Sequence, residues 1–394
     1  MSRARRGCGC AVAVLAIVLV AAAGFVYTYV RPKWKEKPPP PSGKEMKVVV
    51  FDVGQGDSIL LVSPSGMTML IDAGDEANGK KVVDGLKREN VDHLDYFVAT
   101  HPHPDHIGGA PGVLGAMKVG TVLHNGQTPA EMLPEVAQES GTSIALKGAL
   151  NSNRRPPPSP KPGSRAVVLR MPKKPIVYPT VTAYTDFKTA VSSNGAKLEQ
   201  TSPGQKIDLG DGAIVYVLGP VEPYYTREQM RDGGNETNAN SIVMRLVYGE
   251  FSMLLPGDAE AQTEQRLLSK DTTLTSLTAK VLKVSHHGSK YATSDEFLKR
   301  VKPEAAIISD SESNRYGHPS QLVLDRLKAN GVNNLFRTDL NGDITITTNG
   351  KSYDIKPAKV AKSNVWTGRE GKKDDSSRSG FITYGDFGPQ RRKK

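Results

Sequence analysis

Short apolar runs bounded by glycine turns open the central part of the chain. Four runs rich in β-branched residues come first: Lys47–Asp52, Ser58–Val62, Thr68–Asp72 and Tyr96–Thr100. Such runs predict buried strands, whereas the apolar spacing of Lys80–Glu89 predicts a helix. Strands and helices continue to alternate as far as Ile344–Thr347. This order predicts a layered α/β or α+β fold.

A longer apolar run precedes this central part. Residues 7–30 carry no charged side chain, residues 1–10 form a basic head, and Arg31, Lys33 and Lys35 follow. Because roughly 20 apolar residues span a bilayer, residues 11–30 predict a single transmembrane anchor. Ala21–Ala23 leaves a cleaved secretory signal as the alternative, but the apolar run continues past that point.

The basic head also bears on the orientation of the chain. A short basic segment is easier to retain in the cytoplasm than to export. We therefore expect a single-pass protein of the cell membrane with its folded part outside the cytoplasmic membrane. If the apolar segment is cleaved, we expect a secreted protein instead.

Composition divides the remainder into four parts. Residues 31–45 contain four consecutive prolines, Pro38–Pro41, and predict a stiff extended linker. Residues 46–356 form the predicted folded domain. Within it, residues 147–174 are rich in proline and basic residues and predict a long insertion. Residues 357–394 are rich in Lys, Arg, Ser, Gly and Asp and predict a mobile tail.

The net charge of +11 is concentrated at the ends of the chain. Residues 1–45 carry 8 basic and 2 acidic side chains, and residues 357–394 carry 10 and 4. The domain between them holds 34 basic and 35 acidic side chains, so its net charge is −1. The 147–174 insertion is an exception, with eight basic residues and no acidic one. Any affinity of the domain for a polyanion is therefore expected from this insertion.

Histidines cluster directly after one predicted strand. Of the 8 histidines in the chain, three fall in the sequence His-Pro-His-Pro-Asp-His at residues 101–106. At a strand end, His101 and His103 can project toward one point while Asp105 and His106 turn toward a neighbouring one. One short loop can thus serve two metal ions. The 2 cysteines, Cys8 and Cys10, precede the domain, so its metal ligands must be His and carboxylate.

The histidine cluster and the Gly-Gly that follows resemble the signature of the metallo-β-lactamase superfamily. Four further segments are similar to the metallo-β-lactamase-like domain of ComEC-type DNA-uptake proteins: Phe51–Ser58, Leu255–Asp258, Leu282–Ser289 and Tyr316–Ser320. The resemblance implies an α/β (αββα) four-layer sandwich, here preceded by one transmembrane helix, with the site at one edge between two sheets. The multi-span channel of those proteins has no counterpart here, so transport is not implied.

The resemblance also implies further metal ligands. Asp258 follows an apolar run and a Pro-Gly turn, and the matching aspartate of the superfamily bridges two metals. A helix N-cap is the alternative role for Asp258. Of the adjacent His286 and His287, the superfamily pattern favours His286 as the ligand. His287 would then either support the ligands from behind or contact the substrate, although the reverse order stays open.

Other polar residues are candidates for catalysis. Besides Asp105, the resemblance raises His318 as a donor to the reacting group and Asn240 as a residue facing the site. Asp57 and Asp72 stand beside glycines at strand ends, where they either orient imidazoles or stabilise turns. His124 lies too close to the first cluster to match the superfamily's additional histidine. The first metal site is thus expected to be open, and two divalent ions, zinc or manganese, are the expected cofactors.

Such a constellation suits hydrolysis by a hydroxide that the metals activate. The ComEC-type resemblance implies nucleic acid as substrate, and the basic insertion is able to pair with phosphates. The first hypothesis is therefore a membrane-tethered, metal-dependent phosphodiesterase or nuclease acting on DNA. The alternatives are hydrolysis of a small ester, thioester or lactam, and a surface binding module that keeps the fold without catalysis.

Overall fold

The computed structural model describes residues 43–129, 132, 178–230, 234–270 and 276–369. The strands in these ranges are β1 (Met46–Val50), β2 (Ile59–Val62), β3 (Thr68–Ile71), β4 (His93–Ala99), β5 (Lys118–His124), β6 (Lys197–Gln200), β7 (Lys206–Asp208), β8 (Ala213–Gly219), β9 (Val243–Tyr248), β10 (Phe251–Leu255), β11 (Val281–Lys283), β12 (Ala305–Ile308), β13 (Asn334–Arg337), β14 (Ile344–Thr348) and β15 (Tyr353–Pro357). The helices are α1 (Gly79–Arg88), α2 (Pro104–Ile107), α3 (Ala110–Ala116), α4 (Pro179–Asn194), α5 (Glu236–Ala239), α6 (Ala261–Lys270), α7 (Asp295–Val301), α8 (Gln321–Ala329) and α9 (Thr338–Asn341).

The strands form two sheets. The first has eight strands in the order β15-β14-β1-β2-β3-β4-β5-β6, and the second has seven in the order β13-β12-β11-β10-β9-β8-β7. Strands β3 to β6 are parallel to one another, as are β10 to β13. Because parallel neighbours end at the same edge, the loops after β4, β10, β11 and β12 are available to build a site there.

Alternation along the strands divides the interior into layers. In β1, Val48 and Val50 belong to the apolar core that also contains Met253 of the second sheet, whereas Val49 faces the opposite way. In β10, Leu254 likewise points away from the central core and belongs to the core on the outer face of the second sheet. A strand places successive side chains on opposite faces, so each sheet is apolar on both sides.

Helices cover the two outer faces. Phe187 of α4 packs on Phe97 of β4, with ring centroids 6.3 Å apart, in the core shared with α1 and α3. Phe297 of α7 and Leu324 of α8 are buried in the core outside the second sheet. Full burial of one such side chain contributes about 1.5–3 kcal/mol. The arrangement is the predicted four-layer αββα sandwich.

Several predictions concern residues outside the described ranges. The basic head, the anchor of residues 11–30, most of the 31–45 linker, the 147–174 insertion and most of the tail all lie there. No helix within the described ranges combines the length and the apolarity that a bilayer crossing requires.

Candidate metal centre

The loop after β4 carries the first histidine cluster into the edge between the sheets. His103 has extended backbone angles and Pro104 follows it as the first residue of α2. Proline is favoured at this position because its missing N–H has no partner in a first helical turn. Gly56, with φ +112°, passes so close to the Asp105 carbonyl oxygen that a Cβ at residue 56 would overlap it. The glycine-rich β1–β2 loop therefore packs directly on the histidine loop.

The second sheet supplies Asp258 from the loop after β10. Its Oδ2 lies 3.2 Å from Nε2 of His106 and 3.9 Å from Nε2 of His101. Its Oδ1 lies 3.4 Å from Nε2 of His287. Helix α6 begins only at Ala261, and the carboxylate of Asp258 is directed at the histidines. The Asp258 carboxylate therefore lies between His101 and His106, which are near Oδ2, and His287, which is near Oδ1.

The adjacent histidines 286 and 287 point to different neighbours. Both have left-handed backbone angles, with φ of +48° and +54°, which is uncommon for residues other than glycine. Nε2 of His287 lies 3.8 Å from Oδ2 of Asp105, and its Nδ1 lies 3.0 Å from the Ser309 carbonyl oxygen. His287 thus approaches both Asp105 and Asp258, whereas Nε2 of His286 lies 3.9 Å from Oδ2 of Asp258. Which of the two histidines binds metal stays a prediction.

His286 faces the other side of the turn. Its Nε2 lies 3.2 Å from Nδ2 of Asn238, and its Nδ1 lies 3.7 Å from Glu260. Burial lowers the pKa of His286 to about 4, although Asp258 opposes the shift. Its ring centroid is 5.5 Å from that of His318. His286 and His318 therefore form a pair of imidazoles beside the main cluster.

Two buried carboxylates support the histidines from behind. Oδ2 of Asp72 lies 2.7 Å from Nδ1 of His106 and accepts a hydrogen bond from the Thr100 hydroxyl. Oδ1 of Asp57 forms an ion pair at 2.8 Å with the ammonium of Lys283 and lies 3.7 Å from Nδ1 of His287. A partner on the second ring nitrogen fixes the orientation and tautomer of an imidazole. Asp72 is thus placed to orient His106, and Asp57 places a negative charge beside His287.

The donor atoms fit divalent cations. Nε2 of His106, Nε2 of His287 and Oδ1 of Asp258 are buried without a hydrogen-bond partner. Leaving such atoms unpaired costs about 1–3 kcal/mol each, which coordination would offset. Among the described residues, three candidate groups have ligand atoms within 4.8 Å of one another: His101 with His106 and Asp258, Asp105 with His106 and His287, and Asp57 with Asp72 and His106. Imidazole and carboxylate together suit zinc, manganese or iron.

The charges around His106 favour a positive group at this point. Burial alone would lower the pKa of His106, but Asp258 and Asp72 outweigh it and raise the pKa well above its ordinary value. By contrast, burial and the neighbouring histidines hold the pKa of His101 well below its ordinary value. His101 therefore offers a neutral nitrogen to a cation. Its Nε2 lies 3.0 Å from Nδ1 of His103, so both rings converge on one point.

The Asn240 side chain is hydrogen-bonded to the backbone, and its role in catalysis stays a prediction. Its side-chain amide bonds the backbone of Tyr225 in both directions, accepting at 2.9 Å and donating at 2.9 Å. The residue of this segment that contacts a site histidine is Asn238, two positions earlier. A polar run offers several amides, and only the backbone path of α5 decides which one faces the histidines.

His318 and His124 lie in different surroundings. His318 adjoins His286, and its buried Nδ1 has no hydrogen-bond partner. Burial, reinforced by His286, holds the pKa of His318 well below its ordinary value. Nδ1 of His124 accepts a hydrogen bond from the Gly126 N–H at 3.1 Å, which stabilises the turn after β5.

Sequence reasoning did not single out Lys283, Asn238 or Glu260. Lys283 interrupts a buried strand, and a fully buried lysine requires a partner, so this position carried a usable signal. Asn238 and Glu260 stand in polar stretches where many neighbours have the same character. Nothing in their local pattern distinguishes them.

Comparison with known proteins agrees with this site. Residues 51–182 match the sequence model of the family described as the metallo-beta-lactamase superfamily. ComE operon protein 3 of Bacillus subtilis is 28% identical over 317 residues, covering 76% of this chain and 33% of that protein. Competence protein ComA of Neisseria gonorrhoeae is 38% identical over 107 residues, covering 27% of this chain and 15% of that protein.

Two further similarities are more limited in extent or identity. Recombination protein 2 of Haemophilus influenzae is 35% identical over 137 residues, covering 34% of this chain and 16% of that protein. The solved structure of CmlA, a diiron β-hydroxylase from Streptomyces venezuelae, is 13% identical and aligns with a TM-score of 0.41 over 79% of this chain and 55% of that one. The chain spans a third or less of the length of ComE operon protein 3, competence protein ComA and Recombination protein 2.

The two-sheet sandwich and the histidine and aspartate cluster agree with the match of residues 51–182, so the chain contains a metallo-β-lactamase-like domain. The domain is ComEC-like, because ComE operon protein 3 aligns with most of the chain and competence protein ComA aligns with a shorter part of it.

Proposed function

We propose that the chain is a metal-dependent phosphodiesterase that cleaves DNA. The observation that carries the proposal is the convergence of four side chains from both sheets: Asp105, His106, Asp258 and His287. Asp258 lies 3.2 Å from His106 and 3.4 Å from His287, and His287 lies 3.8 Å from Asp105. The names of the relatives concern competence and recombination. Both processes handle DNA, which favours a phosphodiester over an acyl substrate.

The ligands divide into two sets that share Asp258. His101 and His103 would hold one cation, and Asp105, His106 and His287 would hold the other. Two divalent cations bound there would supply Lewis acidity, lower the pKa of a water molecule and offset the charge of a phosphodiester. The Asp72 carboxylate orients the ring of His106, and the Ser309 carbonyl oxygen orients the ring of His287.

The remaining imidazoles serve the reacting group. His318 is neutral at pH 7 because burial depresses its pKa, so it carries one N–H to donate. We assign it a hydrogen bond to the developing charge or the leaving oxygen. Asn238 donates its amide hydrogen to His286 and so fixes the ring nearest to His318.

The proposed localisation is based on the sequence before the domain, not on the structure of the domain. We propose that residues 11–30 anchor the chain in the cytoplasmic membrane with the domain outside the cytoplasm. The proposal is supported by the uncharged run and its basic flanks. The linker would then hold the domain off the bilayer, where the basic 147–174 insertion can meet DNA.

DNA hydrolysis by the full chain tests the proposed activity. We expect manganese or zinc to support cleavage of linear DNA, and Asp105→Asn to reduce the rate at least 100-fold. Asp92→Asn is the matched control, because Asp92 is exposed at the start of β4. Cleavage of thioester or lactam substrates with DNA left intact would contradict the proposal, as would purification of a chain that binds neither metal.

A further inference from the structure

An exposed aromatic side chain stands next to the catalytic cluster. Tyr316, in the loop between β12 and α8, is 38% exposed, although most large apolar side chains of the described ranges are buried. It precedes His318 by two residues. The metal centre itself makes no use of it.

The Tyr316 ring extends the row of imidazoles toward solvent. Its centroid is 5.8 Å from that of His318, and the two planes are inclined by only 28°. The centroid of His318 is in turn 5.5 Å from that of His286. A flat group placed against Tyr316 would therefore lie beside the position where the reacting phosphate is expected.

A guanidinium accompanies the ring. Nη2 of Arg315 donates a hydrogen bond to the Tyr316 hydroxyl at 2.9 Å. Cζ of Arg315 lies 5.1 Å from the ring centroid, within the range of a cation–π contact. Both side chains are exposed. Aromatic surface and fixed positive charge are thus presented together.

The loop that carries Tyr316 is held in place. Oδ1 of Asn314 accepts hydrogen bonds from the backbone N–H groups of Tyr316 at 2.6 Å and His318 at 3.4 Å. Its Nδ2 donates to Gln55 at 2.5 Å, which ties the loop to the β1–β2 loop. A preorganised ring loses little conformational entropy when it stacks on a ligand.

We propose that Tyr316 and Arg315 bind an unpaired nucleobase and its phosphate next to the scissile bond, so that the substrate is single-stranded. Proteins bind single strands by stacking bases on aromatic rings beside basic side chains, whereas the faces of paired bases are covered by their neighbours. This inference rests on the proposed nuclease function. It adds a strand preference, set by residues that do not belong to the metal centre.

Fluorescence anisotropy of a phosphorothioate oligothymidylate tests the inference without relying on turnover. The full chain is compared with Tyr316→Ala, Tyr316→Phe and Arg315→Ala. Leu322→Ala serves as the control, since Leu322 is 48% exposed in the neighbouring helix α8. An abasic strand and a duplex of the same length complete the set of ligands.

We expect Tyr316→Ala to weaken binding of the single strand about tenfold and Tyr316→Phe to stay within twofold of the native chain. Arg315→Ala should weaken it less, and Leu322→Ala should leave it unchanged. The abasic strand and the duplex should bind the native chain more weakly than the single strand, and Tyr316→Ala should change their affinity by less than twofold. Equal loss for all three ligands, or no loss in Tyr316→Ala, overturns the inference while DNA binding itself persists. A native chain that neither binds nor cleaves any oligonucleotide overturns the proposed function as well.

Discussion

The direction of single side chains decides how the site is built. His286 and His287 are adjacent, yet their neighbours differ. Nε2 of His286 lies 3.2 Å from the Asn238 amide and 3.9 Å from Asp258, whereas Nε2 of His287 lies 3.4 Å from Asp258 and 3.8 Å from Asp105. Sequence analysis left their order open and favoured His286, because a pattern of residue types contains no information on φ. The left-handed angles of both residues turn His287 inward. The histidine loop itself was predictable, since its ligands are close in sequence.

At the residue scale we predict that His287→Gln and His286→Gln differ in metal affinity. His287→Gln removes a ligand, so zinc affinity at one site should fall at least 100-fold. His286→Gln should change it by less than tenfold. Isothermal titration calorimetry measures both, with Leu322→Ala as a control. The reverse ranking would restore His286 as the ligand.

A second prediction at this scale concerns Asp310. Burial raises its pKa to about 6, although Asn314 and Arg369 oppose the shift. A carboxyl whose pKa is raised in the folded state costs stability as pH rises from about 4 to about 6, because the unfolded chain then gives up its proton first. Asp310→Asn lacks this dependence.

Urea unfolding at several pH values checks the Asp310 prediction. Relative to Asp310→Asn, the native chain should lose roughly 1–3 kcal/mol of unfolding free energy between pH 4 and pH 6.5. Parallel pH profiles of the native chain and Asp310→Asn would contradict the assignment.

Secondary elements were largely predictable where alternation is strict. The runs Lys47–Asp52 and Phe251–Leu255 correspond to β1 and β10, and the helix predicted at Lys80–Glu89 is α1 within one residue at each end. These elements owe their form to local pattern. Local pattern does not determine the contacts between loops at the sheet edge, because these contacts join residues up to 291 positions apart. The hydrogen bond from the Asp52 N–H to the Asp343 carboxylate is an example.

The segment after β15 makes long-range contacts of this kind with the loop that carries His318. Arg369 donates from its backbone N–H to the Pro319 carbonyl oxygen at 3.0 Å and from its guanidinium to Asp339 at 2.6 Å. Gly368 N–H donates to Gln321 at 2.7 Å. The segment therefore fixes the start of α8 and the turn before it.

At the element scale we predict that Arg369→Ala loosens this loop. Loss of the partly buried ion pair with Asp339 should reduce the free energy of unfolding by about 1–3 kcal/mol. Hydrolysis should fall several-fold through His318, while the metal content stays unchanged. Urea denaturation and metal analysis check both parts, with the exposed Lys362→Ala as control. Unaltered stability and activity would show that the contact is dispensable.

The whole molecule brings its chemistry together by stacking two sheets. Loops after β4 and β10 come from different sheets. The sheets meet beside them, where the Thr100 carbonyl oxygen after β4 accepts a hydrogen bond at 3.0 Å from the N–H of Ile242, just before β9. Sequence analysis predicted this edge through a family resemblance, not through periodicity. Periodicity alone gave a layered fold without saying which loops would meet.

The basic insertion supports a prediction at the same scale. Replacing the eight basic residues of 147–174 by glutamine should weaken binding of DNA and flatten its dependence on salt, because fewer counterions are released. Binding titrations between about 50 and 200 mM salt measure the slope. An unchanged slope would remove the insertion from the DNA-binding surface without affecting the metal centre.

The number of divalent cations bound per folded chain tests the central claim most directly. Inductively coupled plasma mass spectrometry of the metal-saturated chain, after free metal is removed, should find two manganese or zinc ions. Asp258→Asn should retain one or none, because that carboxylate lies between the two ligand sets. A native chain that is folded and yet retains no cation would contradict the account.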